Sequence, residues 1–317
     1  MTTQNTTLRA ASFALAAILL SACHSRPGPT APAAAQQAVQ APSLQELKNA
    51  TYSGVAEAGS SFTLAGGRWE GQPFAPGAAS RPSVTLARDF RLLGDLDGDG
   101  ADEAVVLLAG SAGGTGEMSY LAVVGRRGGK VANLTTAPIG DRVQVRDARI
   151  DGRDIVLEVV QAGQDDAACC PADLVTRIWG FEAGALKEGA PTKTGRLSVD
   201  ALAGTQWVLK AWAWDEAAPA SPEVTLKLDG SRVAGSAGCN NYFAPVTPGD
   251  APGDIAVGPA VATRMMCPEP DMTVETRLLG QLSGVRQVSF VAGQLALSYT
   301  REDGTLGVML FGRRAVR

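Results

Sequence analysis

Histidine is almost absent from this chain of 317 residues: there is one, His24. A Ser-His-Asp triad, a Cys-His pair and a histidine-rich zinc site are therefore excluded. Carboxylate-pair chemistry and metal-assisted chemistry through oxygen ligands survive that test. Basic clusters are missing too. Lys and Arg number 28 against 32 Asp and Glu, which argues against nucleic acid as a partner and against electrostatic docking on anionic lipid. Long apolar runs are missing: the N-terminal one, Ala10–Leu20, falls short of the about 20 residues that span a bilayer. Aromatics make up only 5 % of the chain, so each tryptophan is a landmark. Nothing in the sequence specifies a reaction, and the chain is read as a protein without catalysis.

What is present begins at the N-terminus. Arg9 is the only charge before Cys23, and the apolar run after it has the length of a signal-peptide core, roughly 7–15 residues. Ser21 and Ala22 are small, and Cys23 follows at once. Leu20-Ser21-Ala22-Cys23 resembles the bacterial lipobox. The resemblance implies that residues 1–22 are a lipoprotein signal peptide and that Cys23 is lipidated on sulfur, becomes the N-terminus and is acylated there. Each buried methylene of such chains contributes about 0.8 kcal/mol, and more than one chain anchors stably. His24 stands where an aspartate favours inner-membrane retention, so the expectation is the outer membrane. Residues 23–43 are rich in Pro, Ala and Gln and read as a tether that holds the folded part off the membrane.

Residues 44–188 read as a first, β-rich domain. A short helix is confined to Ser43–Ala50. Strand-like runs follow at Phe62–Leu64, Val84–Leu86, Phe90–Leu93, Ala104–Leu108, Tyr120–Val124, Val131–Leu134, Arg142–Ile150, Ile155–Val160 and Val175–Phe181. Many short strands separated by turn signals predict an antiparallel sheet, sandwich or barrel. Between two of these runs lies Asp95-Leu96-Asp97-Gly98-Asp99-Gly100-Ala101-Asp102-Glu103. Alternate aspartates in a tight loop aim several hard oxygens inward, as Ca2+ requires. The loop resembles the Asp-x-Asp-Gly-Asp-Gly-x-x-Asp calcium loops between strands of integrin-type and related bacterial repeats, with Glu103 at the last position. This makes Asp95, Asp97, Asp99 and Glu103 candidate Ca2+ ligands; the other reading is a solvated acidic hairpin held by Asx turns. Gly113–Gly116 lacks the lysine and helix of a phosphate loop.

With Cys23 carrying lipid, Cys169, Cys170, Cys239 and Cys267 remain, an even number in an exported chain. Three pairings are possible; the expectation is that Cys239 pairs with Cys267 and that the adjacent Cys169 and Cys170 therefore close a ring with each other, although each of these two can instead pair elsewhere or bind a soft metal. A rival reading gathers Cys239, Cys267, Met265 and Met266 into a soft-metal site suited to Cu(I). Adjacent methionines in a strand face opposite ways, which counts against it.

Residues 189–197 read as a polar interdomain linker. Beyond them the chain carries Gly204-Thr205-Gln206-Trp207-Val208-Leu209, then Gly238-Cys239-Asn240-Asn241-Tyr242, then Thr263-Arg264-Met265-Met266-Cys267-Pro268. A helix over about Asp271–Leu282 follows, with two final hairpins. This order resembles the META domain (HslJ-like) family over residues 198–313. The resemblance implies an α+β fold, a curved antiparallel sheet with one packed helix. It also implies export or lipid anchoring and an association with envelope stress, motility or secretion instead of a defined reaction. Trp207 is read as core. Gly238 is read as a position a Cβ would block, and Asn240 and Asn241 as side chains that satisfy backbone groups at an irregular strand end. The expectation for the whole chain is mostly antiparallel β in two small domains. Its expected role is binding, scaffolding or stress-related, at a membrane held through the lipid, with an envelope protein or a glycan as partner. A calcium-dependent binding or adhesion module using Asp95–Glu103 is the alternative, and a metal-assisted hydrolase the remote one.

Overall fold

The computed structural model describes residues 40–167 and 170–314. The expected signal peptide, Cys23, the tether up to residue 39 and Cys169 lie outside the described residues. The folded chain opens on one helical turn, Leu44–Leu47, closed by a capping box in which Ser43 and Glu46 satisfy each other's backbone N–H. The hairpin Thr51–Ser53 with Ser61–Thr63 follows. Leu47, Tyr52 and Phe62 turn inward and are buried.

The expected strand-like runs become two antiparallel sheets. The first orders Arg68–Glu70, Ser83–Leu86, Glu103–Ser111, Met118–Arg127 and Lys130–Asp141, with Leu92–Gly94 also paired to Glu103–Ser111. The second orders Ala185–Glu188, Asp173–Glu182, Asp154–Gln161 and Gln144–Asp151. The near-continuous apolar stretches Ala104–Leu108 and Leu121–Val124 have a direct cause: their sheet is covered on both faces. Val106, Leu108, Ala122 and Val124 pack under Leu47, Tyr52 and Phe62. Val105, Leu107, Leu121 and Val123 face Ile155, Leu157, Val159 and Trp179 of the second sheet. The result is three layers sharing one central sheet.

Residues 189–197, read as a linker, contain the strand Thr192–Arg196, which pairs with Asp173–Glu182. Its side chains are almost all exposed, so it joins through main-chain bonds and shows no apolar alternation. Beyond it the chain forms a curved antiparallel sheet with the main path Ile255–Val257, Asn241–Pro248, Arg232–Ser236, Thr225–Asp229, Trp207–Ala213, Leu306–Arg313, Gln294–Thr300 and Val285–Val291. The two ends of this path meet: Val288 N–H donates to Gly253 O at 2.8 Å, and Asp254 bridges Gln287. The sheet is thus nearly closed. Helix Asp271–Ser283 packs on it through Val274, Leu278 and Leu282, an i, i+4, i+8 stripe. Arg277 clips the helix to the sheet, paired with Glu216 and lying 4.5 Å over the Trp212 ring.

The two parts share a seam. Gln144 Oε1 accepts from Phe290 N at 2.9 Å, and Gly293 N donates to Val145 O at 2.8 Å. Arg313 pairs with Asp147 at 3.3 Å, and Arg146 donates to Ala201 O at 3.2 Å. Val160 and Leu197 are members of the C-terminal core. Among the described residues no helix is long and apolar enough to cross a membrane. Because apolar contacts and main-chain bonds run across the seam, thermal unfolding is expected as one transition, coincident by circular dichroism and tryptophan fluorescence. Phe290→Ala, which empties a buried site on the seam, is expected to destabilise by about 3–5 kcal/mol in denaturant titration.

Candidate functional site

Two places concentrate polar chemistry: the acidic loop and the segment around Asn240. The loop is anchored by Leu96, whose side chain is fully buried in the sandwich core. That plug leaves the flanking aspartates turned outward. Gly98 and Gly100, at φ +80° and +86°, supply the left-handed turns. Asp95 accepts from Gly98 N at 2.6 Å and from Gly100 N at 3.1 Å. Asp97 accepts from Asp99 N, and Asp99 from Ala101 N. One carboxylate oxygen from each of Asp95, Asp97 and Asp99 lies within 4.8 Å of the others.

Glu103, the fourth expected ligand, is not part of that cluster. It starts its strand 2 % exposed, and its Oε2 accepts from Leu96 N at 2.9 Å. Burial pushes the Glu103 carboxyl up, and the charges of Asp97 and Asp99 push it the same way. Cationic neighbours temper the loop: Arg127 reaches Asp97 at 3.5 Å, and Arg153 Nε donates to Leu96 O. The clustered donors are all carboxylate oxygens, which suits a hard cation such as Ca2+ and no soft one. Three clustered carboxylates fit such an ion, with Glu103 as a support beneath them.

The second place is built by Gly238-Cys239-Asn240-Asn241. Gly238 has φ +115°, and a Cβ there would come within 3.1 Å of Pro222 and 3.4 Å of Val274. Cys239 and Cys267 are joined in a disulfide across 28 residues. The sulfurs are therefore bonded to each other, and the Cu(I) reading that needed them as thiolates is set aside. Cys170 is also disulfide-bonded; its expected partner, Cys169, lies outside the described residues.

Asn240 is 2 % exposed and ties three segments together. Its main-chain N–H and Nδ2 donate to the buried Glu275 carboxylate of the helix at 2.7 and 3.0 Å. Its Oδ1 accepts from Thr263 Oγ1 at 2.6 Å and from Met265 N at 2.7 Å, and Nδ2 also donates to Met265 O at 3.1 Å. Asn241 does not share this task. It opens an alternating strand on the outward face, and its contribution is the main-chain bond from Thr263 N to its carbonyl. Trp207 is fully buried as expected, 6.1 Å from the Phe290 ring and with the Arg313 guanidinium 5.1 Å over its face.

Sequence reasoning missed Glu275, although a signal existed: it lies three before Leu278 and seven before Leu282, on the apolar stripe. It also missed Arg177, buried over Trp179 and bonded at once to Glu188, Ile139 O and Gln161.

A nearly closed, curved antiparallel sheet carrying one helix and one disulfide defines the class of the C-terminal part. The META domain family matches residues 200–310, and this part of the chain is a META domain. A protein from Burkholderia xenovorans, solved by NMR, is 25 % identical over 36 % of this chain and 85 % of its own, with a TM-score of 0.29. Comparison with curated proteins finds no match.

Asn240→Ala would strip the buried Glu275 carboxylate of its Nδ2 donor, leaving only the main-chain N–H of residue 240, and would break the side-chain bonds to Thr263 and Met265, so it is expected to cost about 3 kcal/mol in denaturant titration, with Asn240→Asp at least as harmful. Reducing the Cys239–Cys267 bond is expected to cost roughly 3–4 kcal/mol in the chain-entropy model. The raised Glu103 group destabilises when ionised. In chelator, wild type is therefore expected to lose stability relative to Glu103→Gln as pH rises through the carboxylate range into and past its raised folded value, and to regain it on acidification.

Proposed function

We propose that this is a lipid-anchored cell-envelope protein whose META domain and three-layered β part act together as a binding or scaffolding body, without catalysis. The observation that carries the reading is the META domain at residues 200–310, on a chain whose Leu20-Ser21-Ala22-Cys23 reads as a lipobox. The seam supports it. Main-chain bonds and a shared core give one body with a broad surface, the architecture of a presenting module. The membrane is its first partner, through lipid on Cys23, and an envelope protein or glycan its second. The outer membrane is the expected location, with a part in envelope stress.

The test is metabolic labelling with palmitate followed by membrane fractionation. Label and membrane association are expected in wild type and lost in Cys23→Ala; an unlabelled, freely soluble wild type would overturn the reading.

A second reading is favoured by one observation, the three carboxylates of Asp95, Asp97 and Asp99 within 4.8 Å. On this reading the loop holds Ca2+, which would stiffen a surface used in binding or adhesion. Millimolar calcium is then expected to raise the melting temperature above its value in chelator. Saturation at 100 times Kd contributes about 2.7 kcal/mol. Asp97→Ala is expected to abolish the rise while leaving the value in chelator nearly unchanged. An equal loss with and without calcium would reject the ion.

A further inference from the structure

The clamp around Asn240 fixes the backbone of residues 263–267 but leaves two thioethers outside. Met265 is 56 % exposed and Met266 96 %. The other methionines of the described residues are better covered: Met118 and Met272 are half-buried, and Met309 is wholly buried in the META core. Among the described residues no thiol, the usual first target of two-electron oxidants, competes, because Cys170, Cys239 and Cys267 are disulfide-bonded. Among the described residues, the sulfurs most open to such oxidants are those of Met265 and Met266.

What holds this segment does not involve those sulfurs. Asn240 bonds the N–H and C=O of Met265, Thr263 adds its hydroxyl, and the disulfide ties Cys267 next door. Converting an exposed thioether to a polar sulfoxide therefore removes no packing contact of the clamp, whereas the same change at Met309 would place a polar group in the core.

We propose that Met265–Met266 is a reversible oxidation site of the META domain for oxidants of the peroxide class. In the step, a methionine sulfur lone pair attacks one peroxide oxygen. An S–O bond forms, the O–O bond breaks, sulfur is oxidised by two electrons, and the second oxygen leaves and takes up a proton to become water. A thiol-dependent methionine sulfoxide reductase reverses it, its thiols becoming a disulfide and the oxygen leaving as water. The consequence is a surface knob that switches from apolar to polar while the fold stays intact.

The test treats the protein with limiting hydrogen peroxide and follows each methionine by tandem mass spectrometry after disulfide reduction and trypsin. Cleavage after Arg264 and Arg277 puts Met265, Met266 and Met272 on one peptide, so the half-buried Met272 serves as an internal reference. Met266 is expected to oxidise fastest, then Met265, with Met309 at least about tenfold slower. The melting temperature is expected to be unchanged by oxidation of the pair, and treatment with both methionine sulfoxide reductase types to restore the original mass. The variant carrying Met265→Leu and Met266→Leu is expected to fold normally and to lose the fast phase of peroxide consumption. Equal oxidation of Met118, Met272 or Met309, a fall in melting temperature on oxidation of the pair, failure of the reductases to restore it, or a fast phase surviving in the variant would each overturn the proposal.

Discussion

The central strand Glu103–Ser111 must be kept from water on both of its faces, and much of the N-terminal architecture follows from that demand. Ala104, Val105 and Val106 are fully buried, and Leu107 and Leu108 nearly so. Each fully buried aliphatic side chain contributes about 1.5–3 kcal/mol relative to exposure, so neither face can be left open. One face is covered by a single helical turn and a short hairpin, the other by a second sheet. The acidic loop inherits its place from the same demand. Leu96 is drawn into the core from the loop that leads into this strand, and the alternating aspartates on either side of it are left at the surface.

The META domain solves the packing problem with a polar device. Its segment 263–267 buries almost none of its side chains, and it is held by Asn240, the Glu275 carboxylate and a disulfide. A buried carboxylate is costly unless hydrogen-bonded, and here the main chain and side chain of one asparagine bond it. The arrangement is directional where the sandwich is not. It sets one backbone path and presents Met265 and Met266 outward on a fixed support. Gly238 belongs to the same device, because its φ of +115° strains any side chain and a Cβ there would crowd Pro222 at 3.1 Å.

The seam joins these two solutions. Gln144, Val145, Arg146 and Asp147 meet the hairpin around Phe290 and Gly293 and the last strand at Arg313. A body joined in this way unfolds as one piece, and a ligand on either part is linked to the stability of the other.

By itself, the sequence determined the β-rich class, most of the strand positions and the META resemblance, and it favoured the Cys239–Cys267 pairing that the structure then showed. The reason is local: apolar runs between turn residues, and motifs of fixed order, are visible one residue at a time. The positions of Asp95, Asp97 and Asp99 in one loop were legible for the same reason. Only the tertiary structure decided the rest. Thr192–Arg196 reads as a linker because an edge strand that pairs through its backbone alone carries no apolar signature. Glu103 reads as a ligand by spacing, yet burial beneath the loop and a bond to Leu96 N–H give it a supporting place. Asn240 and Asn241 are indistinguishable in sequence. Their side chains part because Asn240 lies in the bend before the strand and turns inward to Glu275, whereas Asn241 opens the strand on its outward face. Whether Met265 and Met266 join a metal cluster or stand in solvent was likewise undecided until the clamp showed which atoms hold the segment: its backbone, and not its sulfurs.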